Sequence, residues 1–126
     1  MRVFKNKWFA RWVRTENVPD SALGRAAEEI VAGQVEADLG SCLFKKRLAR
    51  EGGGKRRGYR VVVGYKKPTS DRIVFLYAFG KNARATISDK EREALSLVAE
   101  AFVAATEAQV SLLLQEGAIV EVQYHE

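Results

Sequence analysis

The sequence predicts an α+β domain, with an N-terminal helical hairpin packed on a twisted antiparallel β-sheet, then C-terminal helices and a final strand. Three observations carry this. Two segments near the start repeat apolar residues at helical spacing. Three β-rich segments then follow through short Gly- and Pro-containing connections. Two matches to the S/T-x-x-E/Q capping pattern stand in the last third. The chain has 126 residues and no long linker, so it is expected to form one domain over 1–126, with 106–126 as a helical and strand extension.

"RVFK" (Arg2–Lys5) alternates and reads as a strand. Asn6 is placed to cap a helix over "KWFARWVRTE", with Trp8, Phe9, Trp12 and Val13 as its apolar stripe and both tryptophans as core. Pro19 and Asp20 open a second helix. There Leu23, Ala26, Ala27, Ile30 and Val31 face the core and Gly33 closes the end. "QVEADLGS" reads as a polar loop.

"CLFKKRLAR" (Cys42–Arg50) is a predicted strand that sends Leu43, Lys45, Arg47 and Ala49 one way and Phe44, Lys46, Leu48 and Arg50 the other. "EGGGKRRG" reads as a flexible loop, because consecutive glycines favour neither helix nor strand. "YRVVVGYKK" (Tyr59–Lys67) and "RIVFLYAFG" (Arg72–Gly80) are strands separated by the turn "PTSD". The near-absence of polar residues in the latter predicts a central strand buried on both faces. "SDKE" (Ser88–Glu91) opens a helix that uses Leu95, Val98, Phe102 and Ala105. "TEAQ" (Thr106–Gln109) starts another, which ends at Gly117, and Ala118–Tyr124 forms the last strand.

Charge is unevenly spread along the chain. Net charge is +5, yet residues 45–67 hold ten Lys or Arg and one acid, while residues 88–126 hold two and eight. That predicts a molecule with a positive face suited to a polyanion. No apolar run approaches the roughly 18 residues of a membrane span, and "MRVFKNKWF" lacks the apolar core of a signal peptide, so a cytoplasmic protein without membrane contact is expected. The single cysteine, Cys42, forms no internal disulfide, which fits a reducing compartment.

Metal and hydrolytic chemistry find little support. The one histidine, His125, is penultimate, and Cys42 has no partner, so neither a metal site nor a histidine-based triad is indicated and no cofactor is expected. "GGGK" (Gly52–Lys55) lacks phosphate-loop spacing. What remains is phosphate recognition. Lys45 and Arg47 share a strand face, Arg60 lies in the next strand, and Lys81 and Arg84 follow the third. Arginine holds phosphate oxygens through two parallel hydrogen bonds, and a lysine crowded by other cations becomes a usable base. Such a set is able to activate a ribose 2′-OH and stabilise the phosphorane.

The ordered segments "KWFARW", the basic strand, "GYRVVVGY" and "VFLYAFGKNAR", followed by a capped helix, resemble the RelE/ParE toxin superfamily of bacterial toxin–antitoxin systems. The tail "LLLQEGAIVEV" is similar to the RelE/HigB-type branch. The resemblance implies a RelE-like α+β fold and a ribosome-dependent mRNA endonuclease cleaving by 2′-OH attack and silenced by a cognate antitoxin. It implies a catalytic set of Lys45, Arg47, Arg60, Lys81 and Arg84. Lys46, Arg50, Lys55, Arg56, Arg57 and Tyr59 are expected to contact RNA. The chain departs from family patterns at Asn82, where some members have a further cation, and at Ile87 and Ser88, where some have Tyr or His. The competing readings are a ParE-like gyrase inhibitor without nuclease activity and a non-catalytic basic RNA-binding module. The antitoxin is expected to present acidic residues to the basic face or to lay a helix in an apolar groove. That groove is expected along the first two helices or the sheet edge near Ala118–Tyr124.

Overall fold

The computed structural model describes residues 1–50, 54–66, 71–80 and 82–124, and for 50 and 54–57 the backbone alone. Strand β1 (Arg2–Asn6) runs directly into helix α1 (Lys7–Glu16). Asn6 makes the junction. Its Oδ1 accepts from Phe9 N at 2.8 Å, satisfying a free amide of the first turn, and its Nδ2 donates to Leu76 O at 3.0 Å, fixing the helix start to the sheet. Helix α2 (Asp20–Val31) ends as expected, with Gly33 at φ 91° and Gln34 N donating back to Glu29 O at 2.8 Å.

Four further strands follow α2, namely β2 (Ala37–Gly40), β3 (Leu43–Arg50), β4 (Gly54–Gly64) and β5 (Arg72–Gly80). Helices α3 (Asp89–Ala104) and α4 (Glu107–Gln115) precede β6 (Ile119–Glu121). The sheet order is β2-β3-β4-β5-β1-β6. Val61 and Val63 face one side, with Phe9, Leu23, Ile30 and Phe75 under α1 and α2. Val62 faces the other, with Leu43, Leu76, Ala99 and Phe102 under α3 and α4. Burial on both faces is why β5 carries almost no polar side chains.

The sheet corrects three expectations. It is mixed, because β1 pairs with β5 in parallel, Arg2 with Arg72 through Lys5 with Phe75. The expected polar loop contains β2, which pairs with β3 through a two-residue turn. Ser41 (φ 50°) and Cys42 (φ 66°) both adopt the left-handed conformation that such a turn requires. Finally β4 begins at Gly54, so five of the eight residues of the expected glycine loop are strand.

Several assigned core residues lie outside the core. Trp8 is 37% exposed and leans on Tyr77 at 4.7 Å between ring centroids, while Val31 and Val98 are also exposed. Val98 lies off the buried side of α3, which among its residues takes in only Ala99 and Phe102. An apolar groove of about 620 Å³ is left between α3 and α4, lined by Leu97, Val98, Phe102, Leu112, Leu113 and Ile119. Arg72 fixes the end of α3, its Nη1 donating to Phe102 O at 3.0 Å and Ala105 O at 2.8 Å.

Helix α3 approaches β4 at Gly64. A Cβ there would stand 3.1 Å from Ala99 Cβ and 3.2 Å from Ala99 Cα and Val74 Cγ1. Gly64→Val is therefore expected to lower stability by about 1–3 kcal/mol, measured by urea unfolding, because the added Cβ and its two methyls press on Ala99 and Val74.

Candidate functional site

The pairing of β3 with β4 sets the site. Arg47 lies directly opposite Arg60, and Lys45 lies opposite Val62. Opposed residues share a face, so three cations stand together, and like charges directly opposite destabilise a sheet. The conflict is sharpened by burial, since Arg60 is only 5% exposed.

Glu36 resolves it. This residue stands just before β2, and its N donates to Lys45 O at 2.8 Å. Its Oε2 lies 2.6 Å from Arg60 Nε and 3.0 Å from Arg47 Nε, and its Oε1 lies 3.4 Å from Lys45 Nζ. Burial pushes the Glu36 carboxyl up. The hydrogen bond and charge of Arg60, with the hydrogen bonds of Lys45 and Arg47, outweigh burial and hold it below the ordinary carboxylate range. The group is thus a permanent anion at neutral pH.

Both arginines meet Glu36 through Nε. Arg60 Nη1 is buried and has no hydrogen-bond partner among the described residues. A buried donor left unpaired costs about 1–3 kcal/mol, a cost relieved when an acceptor arrives. The Arg47 side chain is 56% exposed, and Glu36 is its partner among the described residues. A depression of about 480 Å³ opens here, lined by Gln34, Val35, Glu36, Lys46, Arg47 and Arg60. It exists because β2 pairs with β3 only as far as Lys45, which leaves the rest of that edge uncovered. Two guanidinium groups and an ammonium around a small opening suit a phosphodiester.

The other expected residues divide. Arg84 sits over the ring of Phe79, 5.6 Å from its centroid, and Phe79 is the register partner of Arg60. The structure therefore brings Arg84 alongside the cluster, but its guanidinium is held by Glu91 at both oxygens, at 3.1 Å from Nη1 to Oε2 and in a shorter contact from Nη2 to Oε1. Lys46 lines the depression, yet its Nζ is engaged by Gln34 O at 2.9 Å and Glu29 at 3.1 Å. Tyr59 faces α1, 7% exposed, with its hydroxyl donating to Glu16 Oε1 at 2.6 Å, so it does not join the cluster. Lys81 and the side chains of Arg50, Lys55, Arg56 and Arg57 lie outside the described residues. At the positions of departure, Asn82 is exposed, Ile87 is buried and Ser88 caps α3.

Sequence reasoning missed Glu36. A single acid in a polar segment has no periodic signature. The usable signal is indirect: two cations predicted on one strand face, with a third in the next strand, call for an anion nearby.

Among the described residues no three His, Cys, Asp or Glu side chains are grouped to hold a metal ion, and no single helix is long and apolar enough to cross a membrane. A family model described as the RelE toxin of the RelE / RelB toxin-antitoxin system matches residues 1–122. No curated protein matches the chain.

Glu91 yields a pH prediction. The hydrogen bond from Arg84, then the Ser88 backbone N–H, lower its carboxyl from 4.5 to about 2. The unfolded chain therefore binds more protons in this range, so the contribution is present above pH 4.5 and is lost as pH falls toward 2. Glu91→Gln is expected to flatten the fall in stability over that window, read from urea unfolding at a series of pH values.

Proposed function

We propose that this chain, which belongs to the RelE toxin family of toxin–antitoxin systems, is a ribosome-dependent mRNA endonuclease. The observation that carries this is Arg60, a buried guanidinium with an unpaired Nη1, directly opposite Arg47 and beside an open depression. A gyrase inhibitor has no need of two opposed arginines, one of them buried, prepared for an anion.

In the proposed reaction the ribose 2′-oxygen attacks the adjacent phosphorus and the bond from phosphorus to the 5′-oxygen breaks. The products are a 2′,3′-cyclic phosphate and a 5′-hydroxyl. Arg47 and Arg60 hold the non-bridging oxygens and stabilise the charge that grows on them in the phosphorane. Lys45, on the same face, adds a third positive charge; in this reading it gives a proton to the departing 5′-oxygen, while the proton of the attacking 2′-hydroxyl passes to water. Arg84 borders the site from the Phe79 side. Lys46, Arg50, Lys55, Arg56, Arg57 and Lys81 extend the positive field along the RNA and ribosomal RNA, where each phosphate contact adds salt-dependent affinity. The place of action is the cytoplasm, where messages are translated.

Family membership implies an antitoxin partner. The apolar groove between α3 and α4, which includes Ala118 and Ile119, is a seat for an amphipathic helix of that partner. It adjoins β6 and lies on the face of the sheet opposite α1 and α2.

Arg60→Ala tests the proposal. Removing one preorganised donor to a developing oxyanion typically costs about 10²–10³ in rate. Cleavage of mRNA on purified ribosomes should fall by that factor, with the far-ultraviolet circular dichroism unchanged. Wild-type protein that leaves mRNA intact while blocking DNA supercoiling by gyrase would establish the ParE-like reading in its place. Ribosome binding without either activity would establish a binding module.

A further inference from the structure

Among the described residues Glu36 is the one acid that contacts Lys45, Arg47 and Arg60 together, and its position is unexpected for a site built to bind an anion. A carboxylate there would ordinarily compete with phosphate. The contacts argue otherwise. One oxygen, Oε2, takes the Nε donors of both Arg47 and Arg60, at 3.0 and 2.6 Å. A guanidinium carries five donors in a rigid fork, so engagement at Nε fixes the plane while leaving donors at the Nη end. For Arg60 one of those donors, Nη1, is unpaired and buried. The fork ends are thus oriented without being used.

Removing the carboxylate would leave Arg47 and Arg60 facing each other across the strand pair with no shared anion. Arg60 is enclosed, with 7% of its side chain exposed, whereas Arg47 has 56% exposed and is free to swing into solvent. Repulsion would therefore separate the pair and leave one arginine at the depression. The charge also fits the chemistry. Lys45, Arg47, Arg60 and Glu36 together carry +2. A phosphodiester carries about one negative charge and its phosphorane about two, so this net charge is matched to the transition state over the ground state.

The geometry points to Glu36 as a positioning residue that aligns Arg47 and Arg60, and tethers Lys45, for an RNA phosphodiester. The inference rests on the RNA-cleaving reading of the same site. It predicts an effect of opposite sign to simple electrostatics, under which deleting an acid from a polyanion site strengthens binding.

The test uses the full chain and a fluorescein-labelled single-stranded oligoribonucleotide, titrated by anisotropy over a salt series. Glu36→Gln should bind about tenfold more weakly, the scale of one charge-assisted hydrogen bond. Its plot of log affinity against log salt should flatten by about one phosphate contact. Glu36→Asp, which keeps the charge, should recover part of the affinity. Glu100→Gln, on the exposed face of α3, should bind as wild type or slightly more tightly. Melting temperatures of all variants are measured first, and titrations are run well below the lowest. Equal or tighter binding by Glu36→Gln, with an unchanged slope, overturns the inference, as does loss of cleavage on ribosomes with binding intact, which would make Glu36 a base. Arg60→Ala separates the two levels. Weakened binding by Arg60→Ala without an effect of Glu36→Gln overturns only the role of Glu36. No effect of Arg60→Ala, together with wild-type protein that leaves ribosome-bound mRNA uncut, overturns both.

Discussion

A charge placed inside a sheet has to be answered within a few ångströms, and Arg60 places one in β4, between two paired neighbours. Burying an unpaired ion is far more costly than any single packing contact, so its partner becomes a condition of the fold. That partner is Glu36, just before β2. For Glu36 to reach Arg60, β2 must pair with β3 in one register, and the register is set by the turn at Ser41 and Cys42. Asp38 supports the turn, its Oδ1 accepting from Gly40 N at 2.9 Å. A short edge strand, a strained turn and a polar loop thus answer to one guanidinium.

Local order was legible where chemistry and period agree. Both capping boxes form as read, with Ser88 and Glu91, and Thr106 and Gln109, bonding reciprocally. The valine-rich β4 and the apolar β5 declare their burial in their composition. The Lys45 and Arg47 face follows from strand alternation, and the approach of Arg60 from a hairpin. Hidden features depend on distant partners. "ADLG" has four residues and a turn without the usual Asn-Gly signature, so β2 is invisible until β3 is present. Nothing local to "RVFK" says that it will pair with Arg72–Phe75 in parallel. Val98 shows the limit of periodicity, which assigns a stripe to a helix but not the angle at which the helix lies.

The two ends of the charge distribution serve different surfaces. The basic residues gather on β3 and β4, beside the open edge of the sheet. From Glu93 to the last residue there is no Lys or Arg, and this stretch supplies most of the apolar groove. A polyanion is therefore steered toward one part of the molecule by a field that weakens near the other. Residues 88–126 hold eight acids against two Lys or Arg, so the surface that carries the groove is net negative, which favours basic flanks on a helix seated there. This differs from the acidic partner that the basic face alone would attract.

The place of β1 has a consequence for how the protein comes into being. This strand precedes the other five in the chain, yet it lies between β5 and β6, paired through Val3 with Ile73 and through Phe4 with Glu121. Arg2 bonds both oxygens of Glu121 at 3.0 Å. During synthesis the opening segment has no neighbour on one side until Arg72–Phe75 has been made, and none on the other until Ile119–Glu121 has left the exit tunnel. Closing so long a loop is slow as well as late. The two pairings of β1 close only once β5 and then β6 have been made, so the middle of the sheet is finished by the strand most distant from it in sequence.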